Sequence, residues 1–371
     1  MKLSPLFPLI LPIMLLATSY SAEHRFYVGT STNPEKSEGI YTGTFNSSTG
    51  ILSPVTLAVK VDNPTFLAAH PKGKFLYAVS ESKEASVNAY RISADGSLEL
   101  INSQPSGGGG ACHLSLDATG SCLMVANYGG GSIASFPVLV DGSIGERASF
   151  FQLKGNGPNN PRQEKPHAHH IVSDPNNKLV YVCDLGTDKI WIFQLDAKKA
   201  LLTENNPHFG QAPTGGGPRH LVFHPKLPII YANNELTRTV TTYSWNSTTG
   251  EIKSLQDLST LPADAEAKGS NSEIVIHPNG QWLYVSNRVH DSIATYTVNS
   301  SDGTLTFLEA FNIEAAIPRH ITLDPTAQWM ISGGQQNDLL TVNPVDGTTG
   351  KLKATSQTLP VFGPACIIFV P

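Results

Sequence analysis

The chain has 371 residues, enough for two domains or one large repetitive domain, and 40% of them are hydrophobic, which supports a sizeable core. Charged residues make up only 15%, whereas 32 glycines and 26 prolines favour turns and strands over long helices. The formal net charge is −5 and no Lys/Arg-rich run occurs, so the composition argues against nucleic acid or an anionic membrane as a partner.

The first 22 residues, MKLSPLFPLILPIMLLATSYSA, are typical of a signal peptide, because one Lys precedes an apolar run and small residues follow it. The alternative is an N-terminal membrane anchor. Three prolines and the short apolar core argue against a spanning helix. We therefore expect an exported protein, periplasmic or extracellular, with residues 1–22 removed and residues 23–371 forming a single domain.

The chain contains four cysteines, whose spacing matches no zinc or redox motif. In an exported protein they could pair in three ways, but a domain of this size favours buried free thiols. The four are Cys112, Cys122, Cys183 and Cys366.

A two-strand pattern recurs from residue 66 onward: an alternating strand, a turn rich in Pro, Gly or Asn, and a strand with β-branched and aromatic residues. Each copy is followed by two further strands around a Gly-containing turn, as in TVTTYSWNSTTGEIK. Four strands repeated at about 40–50 residues predict the blades of a β-propeller. The turn positions that anchor the copies are Pro71, Ala118, Pro175, Pro225, Pro278 and Pro325.

The two termini predict how the ring closes. The C-terminal GPACIIFVP matches the first strand of the repeat, with Pro371 as a seventh anchor, and HRFYVGTS near the N-terminus matches the second strand. Together they complete one blade, so we predict an all-β, seven-bladed propeller without free sheet edges. The only helix-like insertion is ADAEAKG, residues 263–269.

The register of the repeat predicts which side chains meet at one mouth of the central channel. The first strand of a blade lines the channel and the second returns beside it, so the start of one and the end of the other share a face. Six residues before the anchors, in what we call the mouth slots, lie Thr65, Cys112, His169, Arg219, Ser272, Arg319 and Ala365. Ten residues after the anchors lie Glu81, Tyr128, Leu185, Glu235, Arg288 and Gln335.

These positions collect most of the regularly placed charges of the repeat. Partly shielded charges are costly unless they serve each other or a ligand, so the mouth is a candidate functional site. The alternative is a structural ring of ion pairs.

The stretch KPHAHH contains three histidines. Strand alternation places His167 and His169 on one face and His170 on the other. The H-x-H pair can bind zinc, and Glu235 could supply a third ligand, so a metal site is a second alternative. His170 shares its place in the repeat with His113, His220 and His320, which indicates an architectural role.

The sequence resembles the seven-bladed propeller lactonases, which include propeller-type 6-phosphogluconolactonases and, more distantly, carboxy-cis,cis-muconate lactonising enzyme. The most specific of the matching motifs are VANYGGGS, RQEKPHAH and GGGPRHL. The resemblance implies lactone hydrolysis at His169, Arg219, Glu235 and Arg288, with Glu235 or His169 as general base and the arginines binding the oxyanion or a substrate anion. Further candidates for substrate binding are His167, Arg319, Glu81, Tyr128 and Gln335.

The expected partner is a small, anionic lactone, and the expected enzyme is a monomer that needs neither cofactor nor metal. The export signal is a departure from the cytosolic phosphogluconolactonases, so an unphosphorylated lactone is also possible. Two alternatives remain: a lactonising cycloisomerase, and a non-catalytic propeller that binds a protein or sugar.

Overall fold

The computed structural model of the protein describes residues 22–33, 35–266, 268–354 and 357–371. The predicted signal peptide, residues 1–22, lies outside the described residues apart from Ala22. Within the described ranges, no helix is both long enough and apolar enough to cross a membrane.

The described residues form seven antiparallel sheets of four or five strands, each made from the repeat that the sequence predicts. Blades 1 to 6 follow one another along the chain, and blade 7 combines the two termini. The strands before blade 1 are β1 (Glu23–Thr30), β2 (Gly39–Asn46), β3 (Ile51–Leu52) and β4 (Thr56–Lys60). Blades 1 and 2 contain β5 (Leu67–Ala69), β6 (Phe75–Ser80), β7 (Ser86–Ile92), β8 (Leu98–Pro105), β9 (Ala111–Leu116), β10 (Cys122–Asn127), β11 (Ser132–Pro137) and β12 (Ser149–Gln152). Blades 3 and 4 contain β13 (Ala168–Ser173), β14 (Leu179–Asp184), β15 (Lys189–Asp196), β16 (Leu201–Gln211), β17 (Pro218–Phe223), β18 (Ile229–Asn234), β19 (Thr239–Trp245) and β20 (Ile252–Ser259). Blades 5 and 6 contain β21 (Ser270–Ile276), β22 (Trp282–Arg288), β23 (Ser292–Val298), β24 (Leu305–Asn312), β25 (Pro318–Leu323), β26 (Trp329–Gly334), β27 (Leu339–Pro344) and β28 (Thr358–Pro360), and β29 (Pro364–Phe369) is the last strand.

The ring closes as predicted, because β1 pairs with β29 in antiparallel register, with Phe26 opposite Phe369. In every blade the first strand of the repeat is the edge strand of its sheet, and it contacts the corresponding strands of the two neighbouring blades. These first strands therefore surround the channel, while aliphatic and aromatic side chains fill the space between adjacent sheets. The seven-bladed fold is confirmed.

The predicted helix-like insertion is wrong, since the described residues of 263–269 form turns and bends. A segment of only seven residues is too short to offset the cost of helix nucleation. A short 3₁₀ helix occurs instead at Ala197–Lys199, in the outer turn of blade 3. The four cysteines are buried and unpaired, as the size of the domain favours.

Adjacent blades are joined by a repeated hydrogen bond from a buried tyrosine. In five blades a Tyr of the second strand donates its hydroxyl to a glycine carbonyl in the outer turn of the next blade, at 2.7–2.9 Å. Each acceptor glycine has a positive φ, between 74° and 93°, which only glycine adopts without strain. The pairs are Tyr27 with Gly96, Tyr77 with Gly142, Tyr181 with Gly250, Tyr231 with Gly303, and Tyr284 with Gly350.

We expect Tyr231→Phe to lower the free energy of unfolding by about 1–2 kcal/mol, because the buried Gly303 carbonyl loses its partner. The measurement is urea unfolding followed by fluorescence. Tyr41→Phe is the control, since the Tyr41 hydroxyl contacts an exposed backbone N–H, and it should change little. Equal effects of the two substitutions would contradict a stabilising role for the repeated bond.

Candidate functional site

The mouth slots are held in β-bulges. In blades 3, 4 and 6 the pairing of the first two strands skips one residue, and the skipped residues are His169, Arg219 and Arg319. Register shifts occur at the same place in blades 2, 5 and 7. A bulge leaves one residue unpaired and turns its side chain away from the ordinary alternation. In six of the seven blades the fold thus repeats a feature that directs a side chain toward the channel mouth.

The Glu235 carboxylate is the centre of the charged cluster at this mouth. It lies just after β18, is only 4% exposed, and faces three guanidinium groups. Arg162 donates a hydrogen bond from Nη2 to Oε1 at 2.7 Å, while Arg219 Nε and Arg288 Nη2 lie 3.2 Å and 3.0 Å from Oε2. Two of the arginines are fixed further by backbone carbonyls: Arg219 donates to that of Ser272, and Arg288 to that of Asn271. The structure therefore brings Glu235, Arg219 and Arg288 together, as the register predicts.

Burial and mutual charge set the ionisation of this cluster. Burial by itself raises the pKa of Glu235, but Arg288, Arg219 and Arg162 outweigh it and hold the pKa at about 2. Burial, together with the charges of Arg288 and Arg319, lowers the pKa of Arg219 to about 10. The cluster therefore contains one carboxylate and three guanidinium groups, which leaves a surplus of positive charge.

Arg162 is the residue that the register did not find. It lies in the loop between β12 and β13, outside the strands from which the mouth positions were counted. The buried Gln163 side chain fixes this loop by donating to the Leu185 carbonyl at 2.8 Å and to Asp188 Oδ1 at 2.6 Å. The spacing between Ala118 and Pro175 is the longest in the repeat, and this extra length was the available signal.

His167 and Tyr128 form a stacked pair beside the cluster. Their ring centroids are 4.4 Å apart with an interplanar angle of 22°, and His167 Nδ1 lies 2.9 Å from the Tyr128 carbonyl oxygen. The Tyr128 hydroxyl accepts a hydrogen bond from Arg162 at 3.3 Å, and His167 Nε2 lies 3.3 Å from Glu164. Both predicted residues are thus linked through Arg162 to the charged cluster.

His169 is buried beside these residues, and its Nδ1 lies 3.2 Å from Nε2 of His220. Burial, and then the charge of Arg219, lowers its pKa well below the ordinary value, so the imidazole is neutral at neutral pH. The predicted opposition of His169 and His170 is wrong, because the rings of both contact His220. The bulge at His169 interrupts the alternation on which that prediction depended.

The remaining predicted residues lie outside the Glu235 cluster. Glu81 accepts a hydrogen bond from the Thr65 hydroxyl at 2.6 Å, and Gln335 donates to the Ser31 hydroxyl at 2.8 Å. Arg319 lowers the pKa of Arg219 and therefore lies near it, yet its side chain forms no hydrogen bond or ion pair with any residue that the structure describes. It is a half-buried cation without a counter-ion in the described part of the chain.

The described part of the chain contains no group of three or more His, Cys, Asp or Glu side chains placed to hold a metal ion. Glu235, considered above as a third ligand beside the H-x-H pair, has both oxygens occupied by guanidinium groups.

We expect Glu235→Gln to destabilise the fold by about 3–5 kcal/mol, because Arg219 and Arg288 would remain buried without their counter-charge. Chemical unfolding of both forms measures this difference. Glu38→Gln removes an exposed carboxylate paired with Lys60 and should leave stability unchanged. A Glu235→Gln protein as stable as wild type would show that the buried cluster does not depend on this charge.

Comparison with known proteins agrees with the fold and with the motifs. The family model described as lactonase, 7-bladed beta-propeller, matches residues 25–369. A 6-phosphogluconolactonase of Bacillus subtilis (strain 168) is 36% identical over 346 residues, which cover 93% of this chain and 97% of that protein. A 6-phosphogluconolactonase of Formosa agariphila is 32% identical over 345 residues, covering 91% and 97%. The solved structure of a periplasmic gluconolactonase of Pseudomonas aeruginosa superposes with a TM-score of 0.89 at 27% identity, covering 94% of this chain and 99% of that one. The chain belongs to the seven-bladed β-propeller lactonase family.

Proposed function

We propose that the protein hydrolyses a lactone at the channel mouth, with His169 as the general base. The observation that carries this proposal is a neutral, buried imidazole beside a cluster of arginines with surplus positive charge. A neutral imidazole can take a proton from water, and guanidinium groups stabilise the oxyanion that forms when water attacks a carbonyl.

The choice between His169 and Glu235 as base rests on their surroundings. Glu235 faces three guanidinium groups and has a pKa of about 2, so its oxygens bind protons too weakly to activate water. Nε2 of His169 makes no hydrogen bond to a described residue, which leaves its lone pair for water. Glu235 instead acts as the counter-ion that holds Arg219 and Arg288 in place.

In the proposed reaction, a water oxygen attacks the lactone carbonyl carbon while His169 takes a proton from that water. Arg219 and Arg288 stabilise the resulting oxyanion. When the intermediate collapses, the ring C–O bond breaks and the protonated His169 returns its proton to the leaving alkoxide. All of these steps use side chains of the mouth, and we propose that no metal or cofactor takes part.

The substrate is proposed to be a sugar-derived, anionic lactone. The positive charge here exceeds the negative charge, because one carboxylate, Glu235, faces Arg162, Arg219 and Arg288. Arg319 adds a further positive charge and has no counter-ion among the described residues. Guanidinium groups bind carboxylate or phosphate oxygens in pairs. The stacked rings of His167 and Tyr128 supply a flat wall next to these cations, with Glu81 and Gln335 as polar groups elsewhere on the mouth.

We further propose that the protein is exported and acts as a monomer. The first 22 residues support export, and a periplasmic gluconolactonase is among its structural neighbours. An enzyme outside the cytosol meets sugar lactones without phosphate as well as phosphorylated ones, so the assays below include both kinds.

The activity is tested by titrating acid release from phosphorylated, unphosphorylated and aromatic-derived lactones. We expect hydrolysis of at least one anionic lactone, and a loss of about 10²–10⁴-fold in kcat for His169→Asn, because the general base is removed. His208→Asn, on the exposed outer strand β16, is the control and should retain full activity. Formation of lactone from the open acid would favour the cycloisomerase, and wild-type turnover by His169→Asn would refute the assigned base.

The pH profile provides a separate prediction. Burial and Arg219 lower the pKa of His169. The imidazole therefore stays deprotonated even when the pH falls below 6.5, the ordinary pKa of a histidine. We expect kcat/KM, corrected for spontaneous hydrolysis, to be constant from about pH 6.5 to 8 and to fall only well below 6.5. A limb that falls at or above pH 6.5 would be inconsistent with His169 as a buried neutral base.

A further inference from the structure

A continuous line of hydrogen-bonding side chains leads from His169 into the channel. His169 Nδ1 lies 3.2 Å from His220 Nε2, and His220 Nδ1 lies 2.8 Å from Glu273 Oε1. The three residues belong to β13, β17 and β21, the first strands of three successive blades. All three are buried, with at most 7% of each residue exposed, so the contacts are largely shielded from bulk solvent.

The proton positions along this line follow from Glu273. An ionised carboxylate can only accept hydrogen bonds, and Glu273 Oε1 also accepts one from the Ile274 backbone N–H at 3.1 Å, so His220 Nδ1 is the donor in the contact with Oε1. Neutral imidazole carries one N–H, and therefore His220 Nε2 is an acceptor. The facing atom, His169 Nδ1, must then carry the proton, which leaves Nε2 of His169 with the free lone pair.

Glu273 also has an electrostatic effect on the rings of His169 and His220. Arg219 and Arg319 both lower the pKa of His169 and of His220 and so oppose a positive charge on either imidazole. The other rings that contact His220 are those of Phe66, His113 and His170, and His320 lies near enough to affect its pKa. Burial also lowers the pKa values of His113, His170 and His320. Glu273 is the carboxylate in contact with this line, and its negative charge partly balances a proton taken up by His169.

We propose that Glu273 is a positioning residue for catalysis, which acts through His220 to hold His169 in the Nδ1–H tautomer and so presents Nε2 as the base. This inference rests on the proposed function, in which His169 takes a proton from water. No proton moves to Glu273 or His220 during the reaction: the proton of water passes to His169 Nε2 and then to the leaving alkoxide, while both Nδ1–H groups stay in place.

The same ring of the channel contains the control. His170 occupies the same place in blade 3 that His220 occupies in blade 4, and its Nδ1 is buried without a hydrogen-bond partner among the described residues. It contacts His220 only through its ring face, with centroids 4.6 Å apart, and a Phe already occupies this place in blade 1, at Phe66. His170→Phe therefore preserves the packing of the channel without changing the line from Glu273 to His169.

The channel also offers a way to replace the carboxylate. A cavity of about 410 Å³ is lined by Glu273, His220, His320 and apolar side chains such as Ile321 and Ile367. Removing the Glu273 side chain enlarges this cavity at the place where the carboxylate stood, and formate is small enough to enter it.

The first experiment compares steady-state kinetics of wild type, Glu273→Ala and His170→Phe, with and without sodium formate. We expect Glu273→Ala to lose about 10²-fold or more in kcat with a nearly unchanged KM, because a large share of His169 adopts the wrong tautomer. Formate should restore part of that loss in a saturable way, whereas sodium chloride should not. Wild type and His170→Phe should show full activity and no response to formate.

Full activity of Glu273→Ala, or a loss in a folded protein that formate does not restore, would overturn the proposal. A second experiment does not depend on any variant of Glu273. In wild-type protein labelled with ¹⁵N-histidine, with the His169 signals identified by their absence from His169→Asn, Nδ1 should be protonated and Nε2 not. The reverse assignment would overturn the tautomer even if lactone hydrolysis is confirmed. Conversely, failure to hydrolyse any lactone would refute the proposed function while leaving the tautomer measurable.

Discussion

The burial of the Glu235 carboxylate is the constraint on which the mouth of this propeller depends. A carboxylate that is 4% exposed needs close cations, and they come from three separate parts of the chain: the loop before β13, the first strand of blade 4 and the second strand of blade 5. Arg219 is equally buried and needs Glu235 in return. If blade 4 shifted relative to blade 5, Glu235 and Arg288 would separate and leave charges unpaired in a region of low dielectric. The site is therefore rigid for electrostatic reasons as well as through the packing of the blades.

The same cluster determines what His169 can do in the proposed reaction. Burial first, and then the surplus positive charge, lowers the pKa of His169, so its imidazole is neutral and can accept a proton at neutral pH. Surplus positive charge also favours an oxyanion on the substrate. A single arrangement of arginines thus prepares both the base and the group that stabilises the intermediate. Were Glu235 itself the base, each arginine that lowers its pKa would weaken it.

The sequence predicts the architecture well because the propeller repeats a simple local pattern. The anchors from Pro71 to Pro371 identify all seven hairpins, and the two half-hairpins at the termini predict the closing blade. The mouth slots follow from the same register, which brings Arg219, Glu235 and Arg288 together before any contact is known. The register cannot predict features that depart from the repeat. Arg162 lies in a loop, and the β-bulge at His169 breaks the alternation that separated it from His170.

The histidines deeper in the channel show why a repeated residue type need not have a single role. His113, His170, His220 and His320 occupy the same place in four blades, and this recurrence suggests packing. The role of each depends on the residue in the same place of the next blade, because the first strands contact one another around the channel. For His220, in blade 4, the residue at the same place of the next blade is Glu273. It is the one acidic residue at this place of the repeat. The preceding blade, blade 3, has His169 in its mouth slot. The Nδ1 of His169 contacts Nε2 of His220, so the tautomer of His169 depends on that of His220. His220 therefore differs from its three counterparts in having Glu273 in the next blade and His169 in the preceding one. That information is present in the sequence, but it becomes readable only when the blades are compared with their neighbours in the ring instead of one by one.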